Sequence, residues 1–223
     1  MGFQNGWRGP DIVSDGLVLY LDAGSPNSYR TDFGTTWKDM SGNVNNGTLT
    51  NGPTYSSANG GTISFDGVND YSSFSTTSLV VNTVNIWIYI KSTADSGVIY
   101  SGGDAYNSGA WEWSIFILTN SIFFRGNAGG GASINYPVSN YINQWKNFTL
   151  IRDLNTRCYL YENGVYKNDS GDSSTTNTNQ LRLCKAATNY ANADISNIQI
   201  YNRALSSTEV LQNYNAQKSR FGL

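Results

Sequence analysis

Residues 145–167, WKNFTLIRDLNTRCYLYENGVYK, alternate in a way that only a sheet can use. Phe148, Leu150 and Arg152 alternate with Thr149, Ile151 and Asp153, and Cys158, Leu160 and Glu162 alternate with Tyr159, Tyr161 and Asn163. A period of two places successive side chains on opposite faces of a strand. Asp153, Leu154, Asn155 and Thr156 supply turn chemistry between the two runs. Asn163-Gly164 supplies two residues that accept positive φ, as a type I′ hairpin turn requires. Val165 and Tyr166 open a third strand, so the stretch predicts an antiparallel meander and an all-β fold.

Further strands follow from the rest of the chain. Leu17 to Leu21 is a short apolar run stopped by Asp22-Ala23-Gly24. Residues 25–28 read as a turn, residues 36–49 as a loop and a strand, and residues 63–65 as a strand closed by Asp66-Gly67 and Asn69-Asp70. Val84, Ile86, Ile88 and Ile90 share one face of a central strand, with Trp87 and Tyr89 on the other. Strands are also predicted over 97–100, 111–117, 121–124, 181–184 and 195–202, with polar loops at 126–131 and 170–179. Ser206-Ser207-Thr208-Glu209 has the spacing of a capping box, and Leu205 can staple onto Val210. It predicts a closing helix over about 206–218 with Val210, Leu211 and Tyr214 on one face, then a tail at 219–223. Residues 1–16 have four glycines, one proline and no periodicity, and read as an extended arm before a single domain over 17–218. Phe3 and Trp7 are its candidate anchors, because large apolar side chains are costly to leave in water.

The pattern W-x-x-F-T-L, a short turn and x-L-Y-x-N-G-x resembles the middle strands of laminin-G-like, concanavalin A-like lectin domains. GLVLYLDAG at 16–24, TWKDMSGNVNNGTLTNGPTY at 36–55 and ISFDGVNDY at 63–71 are similar to the opening of such domains where they are carried on phage virion and other surface proteins. ISNIQIYNRALSSTEVLQNY at 195–214 resembles their ending. The resemblance covers about residues 16–215 and implies a two-sheet antiparallel jelly-roll sandwich in which the last strand returns beside the first.

The totals narrow the function. A chain of 223 residues buries roughly 70% of its unfolded surface or more, so the core needs neither metal nor disulfide. A net charge of −2 gives no basic footprint for nucleic acid, and no apolar run is long enough for membrane insertion. Residues 1–11 carry no signal peptide pattern, so an outward-facing role implies release by assembly into a particle. The absence of His removes the commonest general base and metal ligand. Cys158 and Cys184, the only cysteines, leave a bridge and two buried thiols both open.

Candidate chemistry is sparse. The E-x-D-x-x-E strand motif of sandwich glucanases is absent, the only glutamates are Glu112, Glu162 and Glu209, and no catalytic residue is assigned. An improvised pair of Asp104 and Glu112 is the remaining enzymatic reading, that of a sandwich-fold glycoside hydrolase. The fold resemblance implies glycan binding, which uses aromatic faces with Asn and Asp. Asp104, Tyr106, Asn107 and Trp111 offer both kinds in one loop, with Tyr136, Tyr141 and Tyr190 as further loop aromatics and Trp113 as a core residue. Asp66, Asn69 and Asp70 form a candidate calcium set, with Asp194 nearby in pattern, against the simpler role of turn residues bonding their own backbone. No cofactor is required by this reading. The expected function is a non-enzymatic virion surface protein, a capsid decoration or tail-associated protein. It would attach to other virion proteins by its arm and display a lectin-like domain toward glycans. The alternative is a free carbohydrate-binding protein.

Overall fold

The computed structural model describes residues 11–94, 96–101, 113–118, 121–125, 133–137, 141–153, 157–171, 177–186 and 188–223. In chain order the strands are β1 (Leu17–Asp22), β2 (Thr36–Trp37), β3 (Gly47–Thr50), β4 (Thr54–Ser56), β5 (Thr62–Asp66), β6 (Tyr71–Val80) and β7 (Thr83–Ile90). They continue with β8 (Ser96–Ser101), β9 (Trp113–Leu118), β10 (Ser121–Arg125), β11 (Ser133–Pro137), β12 (Trp145–Arg152) and β13 (Arg157–Glu162). The last are β14 (Val165–Gly171), β15 (Asn177–Leu183), β16 (Lys185–Ala186), β17 (Asn189–Tyr190) and β18 (Asn192–Tyr201), followed by helix α1 (Ser207–Gln217). One sheet runs β14-β13-β12-β7-β18-β5-β4 with β1 also on β18, and the other runs β11-β10-β9-β8-β15-β6-β3-β2.

Alternation and register together build the core. Phe148 pairs with Ile86, Ile86 with Ile198, and Ile198 with Leu21, so one rung of apolar side chains crosses four strands. Leu150, Val84, Ile200 and Leu19 make the next rung, with Leu160 beyond Leu150. All nine are buried, facing Leu49, Phe74, Ile99, Ile115 and Leu181 of the second sheet. Each such side chain contributes about 1.5–3 kcal/mol on leaving water, so these rungs dominate the stability. Cys158 and Cys184 are both free thiols in this core, which resolves the sequence alternatives against a bridge.

The outer face of the first sheet is also covered. Trp87 is fully buried, stacked on Phe221 with ring centroids 4.0 Å apart and on Tyr214 at 5.7 Å. Around it lies a layer of buried amides. Asn85 donates to Gln199 at 2.5 Å, and its carbonyl oxygen accepts from Asn147 at 3.0 Å and from the Thr149 hydroxyl at 2.6 Å. The capping box forms as expected: the Glu209 amide donates to the Ser206 hydroxyl oxygen and the Glu209 carboxylate accepts from the Ser206 amide. Arg203 also grips Glu209 at 2.6 and 3.0 Å.

Four expectations need correction. The helix buries Val210, Asn213 and Gln217, while Leu211 is 45% exposed, because polar Asn213 and Gln217 meet polar groups rather than an apolar surface. Asn213 accepts from the Val13 amide at 2.8 Å and donates to the Tyr201 hydroxyl at 3.0 Å. Val13 is thereby buried, so residues 11–16, the end of the expected arm, lie on the domain. The ten-residue β6 was missed because YSSFSTTSLV hides a paired strand behind Ser and Thr. The expected 170–179 loop is shorter, since Ser170 pairs with Cys158 and Asn177 with Val80. The strand expected over 111–117 is described from Trp113.

Three outcomes follow. Trp87→Ala empties the slot between Phe221 and Tyr214, and equilibrium denaturation is expected to register a loss of about 3–5 kcal/mol. The Glu209 carboxyl is held down to about 2, chiefly by the Arg203 hydrogen bonds. A depressed carboxyl stabilises above its unfolded pKa and loses that contribution as pH falls through its folded one. Acid titration should therefore loosen the helix from about pH 4.5 down to 2, and Glu209→Gln should remove that part of the pH dependence. Burial raises the Cys184 thiol well above its usual range. Reducing agent should leave Tm unchanged, and both thiols should react with a disulfide reagent only after unfolding.

Candidate functional site

Asp104, Tyr106, Asn107, Trp111 and Glu112, like Phe3 and Trp7, lie outside the described residues. Of the other aromatics nominated from sequence, Tyr141 is buried and packed against Tyr136 and Phe148, so it is a core residue. Tyr190 sits beside Tyr71 with the Lys185 ammonium over both rings.

Asp66, Asn69 and Asp70 are brought together at the β5–β6 turn, where their oxygens serve the backbone. Asp66 accepts from the amides of Val68 at 2.8 Å and Asn69 at 3.3 Å, and the Val68 bond in particular holds its carboxyl below the usual range. Asp70 accepts from the Asp66 amide at 3.3 Å, and burial, then the Asp66 charge, raises its carboxyl. Asp194, on β18 opposite Ser64 of β5, instead bonds the Lys91 ammonium at 2.5 Å. Calcium takes about six to eight oxygens, and among the described residues no group of three or more acidic, His or Cys side chains gathers.

The structure assembles a different site. Leaving β1, the chain turns at Asp22, whose amide donates to the Ser28 hydroxyl at 3.0 Å. Ser28 passes that bond on to the Lys38 carbonyl at 2.6 Å, and the Lys38 amide returns to the Ser28 carbonyl at 2.8 Å. The Asp22 carboxylate accepts from the Gly24 amide at 2.8 Å and from Arg220 at 2.9 Å through both oxygens. This fixes the 22–38 strap that carries the chain from one sheet to the other. Gly24 is required there: a Cβ would stand 1.8 Å from the Gly60 carbonyl oxygen.

Above this floor lies an open cleft of about 510 Å³ lined by Ala23, Gly24, Pro26, Tyr29, Arg30, Thr31, Asp32 and Tyr55. Tyr29 and Tyr55 form its aromatic wall, with centroids 5.4 Å apart and planes inclined by 34°. Tyr29 is anchored in the core, whereas Tyr55, on edge strand β4, is 39% exposed. Burial, then the Tyr55 neighbour, raises the Tyr29 hydroxyl above its ordinary value. At the mouth Arg30 donates to Asp32 through Nε at 2.9 Å and Nη2 at 2.7 Å, a forked pair largely open to water. Aromatic faces flanked by donors and acceptors are the elements with which a protein holds a small polyhydroxylated molecule. Sequence reading missed this site because Tyr29 and Tyr55 stand alone in turn-rich segments 26 positions apart; YRTD at 29–32 was the available signal.

The described glutamates are occupied elsewhere. Glu162 meets Lys146 at 2.9 Å, Lys167 at 3.6 Å and the Tyr136 hydroxyl at 3.1 Å, tying the β11 edge to β13. Glu209 belongs to the helix cap.

Fold and register define an antiparallel, lectin-like jelly-roll sandwich. A laminin G family model, described as the concanavalin A-like lectin/glucanases superfamily, matches residues 66–211, and the chain belongs to this family. No curated protein matches the sequence. Among solved structures, the receptor-binding domain of botulinum neurotoxin type G is 20% identical with a TM-score of 0.68, over 91% of this chain and 51% of that one. The serotype D ligand-binding domain in complex with N-acetylneuraminic acid is 17% identical with a TM-score of 0.73, over 92% and 52%. The binding domain of Paraclostridial Mosquitocidal Protein 1 is 20% identical with a TM-score of 0.69, over 91% and 52%. These likenesses are of fold, and the chain spans about half the length of each neighbour. The residues lining the cleft, between 23 and 55, precede the family-matched span.

Proposed function

We propose that this chain is a non-enzymatic lectin-like module that binds carbohydrate in the Tyr29–Tyr55 cleft and is displayed on a virion surface. The observation that carries the binding reading is the aromatic pair beside the Arg30–Asp32 fork, in a cleft within the ~300–1,000 Å³ range of small-molecule sites. The complex of the serotype D domain with a sugar supports carbohydrate as a ligand class compatible with a larger domain of similar fold. Engagement of Glu162 by two lysines and a tyrosine, and of Glu209 by its cap, supports binding without catalysis. The virion role rests on the likeness of the blocks at 16–24, 36–55 and 63–71 to phage-borne copies of the domain.

A glycan array read with the intact chain and with Tyr55→Ala tests the site. Loss of the aromatic wall should weaken the best ligand by roughly tenfold with Tm nearly unchanged, because Tyr55 is part exposed on an edge strand. Unchanged binding in the variant would remove the cleft from the reading. Attachment has its own test. Deleting residues 1–10 spares the Val13 contacts, so a folded domain that no longer copurifies with particles is expected. Retained attachment would place the docking surface on the sandwich.

A further inference from the structure

Resting on that reading, we infer that the cleft selects neutral saccharides over acidic ones. The charges lining it cancel: Arg30 is the one cation and Asp32 the one anion among its eight residues. The two are joined by a fork of two hydrogen bonds, so neither presents an unopposed charge. Beneath the floor Asp22 and Arg220 are paired at 2.9 Å, and the Lys38 ammonium, a cation outside the lining, rests on the Phe33 ring 3.7 Å from its centroid. A carboxylate-bearing sugar entering the mouth meets the Asp32 carboxylate or must draw Arg30 away from it, and either course opposes binding.

A neutral sugar meets no such obstacle. Two adjacent hydroxyls can accept from the guanidinium hydrogens left over by the fork and donate to the remaining lone pairs of Asp32, while the C–H face of the ring lies on Tyr29 and Tyr55. The Thr31 hydroxyl lines the same cleft. A volume of about 510 Å³ suits one or two rings. Because the Arg30–Asp32 pair is more than half exposed on both sides, it holds its geometry weakly and either partner can turn toward a hydroxyl.

The test compares neutral oligosaccharides with the same oligosaccharides bearing N-acetylneuraminic acid or a uronate, using the intact chain, Asp32→Asn and Tyr55→Ala. The expected result is a preference of roughly three- to fivefold for the neutral member of each pair, about 0.7–1 kcal/mol, the scale of an exposed ion pair. Asp32→Asn frees Arg30 and should narrow or invert that preference, and Tyr55→Ala should weaken both classes. Stronger binding of the acidic members, still abolished by Tyr55→Ala, would overturn the selectivity and leave the binding site standing. Equal binding of both classes, or no response of the preference to Asp32→Asn, would also overturn it. No binding of either class, or binding indifferent to Tyr55→Ala, would overturn the site itself and the inference with it.

Discussion

Strand β18 is the constraint on which the first sheet depends. Its first half pairs with β5, from Asn192 opposite Asp66 to Ile195 opposite Ile63. Its second half pairs with β1 along the same edge, from Asn197 opposite Asp22 to Tyr201 opposite Leu17, while β7 runs along its other side. Until residues 192–201 are in place, β1 and β5 have no sheet to join, whereas the local β12–β13–β14 meander can form by itself. Pairings across some 180 residues make non-local contacts the rule, which in antiparallel sandwiches goes with slow folding. Where the β5 and β1 halves meet, Ser196 donates to the Gly61 carbonyl at 2.9 Å, its carbonyl accepts the Ala23 amide, and Arg220 reaches its hydroxyl at 2.9 Å. The floor of the cleft is thus the join of four chain segments far apart in sequence.

The two faces of the first sheet obey different physics. The inner face excludes water by area, and its cost and benefit follow the volume of Leu, Ile, Val and Phe side chains. The outer face, under α1 and Phe221, buries Asn85, Asn147, Thr149, Asn197 and Gln199. Hydrogen bonds there add modestly, but breaking one partner leaves a buried polar group unmade, which is the larger penalty. Such a layer specifies one seating of the helix more than it stabilises it, and the stack of Phe221 on Trp87 supplies the apolar part of the joint.

Much of the framework was legible because its side chains repeat. The 145–167 meander, β7, β18 and the capping box each carry a local pattern with a local cause. What escaped did so for definable reasons. Strand β6 is written in Ser and Thr, which satisfy a pleated backbone without an apolar signature. The buried side of α1 uses Asn213 and Gln217, which a hydrophobic periodicity cannot register. The cleft is invisible to any local window, since Tyr29 and Tyr55 meet only after the strap has crossed between sheets and β4 has joined β5. The loop nominated from sequence, Asp104 to Trp111, is picked out by clustering along the chain and lies outside the described residues, whereas Tyr29 and Tyr55 meet only through the folded strap.

The close approach of Gly24 to Gly60 divides the cleft into parts that tolerate substitution differently. Its floor admits no side chain at position 24, and the Asp22, Ser28 and Arg220 bonds beneath it fail together, so drift there is closed off. Arg30, Thr31, Asp32 and Tyr55 stand on the rim, where most replacements leave the sandwich intact. The cleft's surface chemistry can therefore be rewritten at four positions without touching the Gly24–Gly60 contact that supports it.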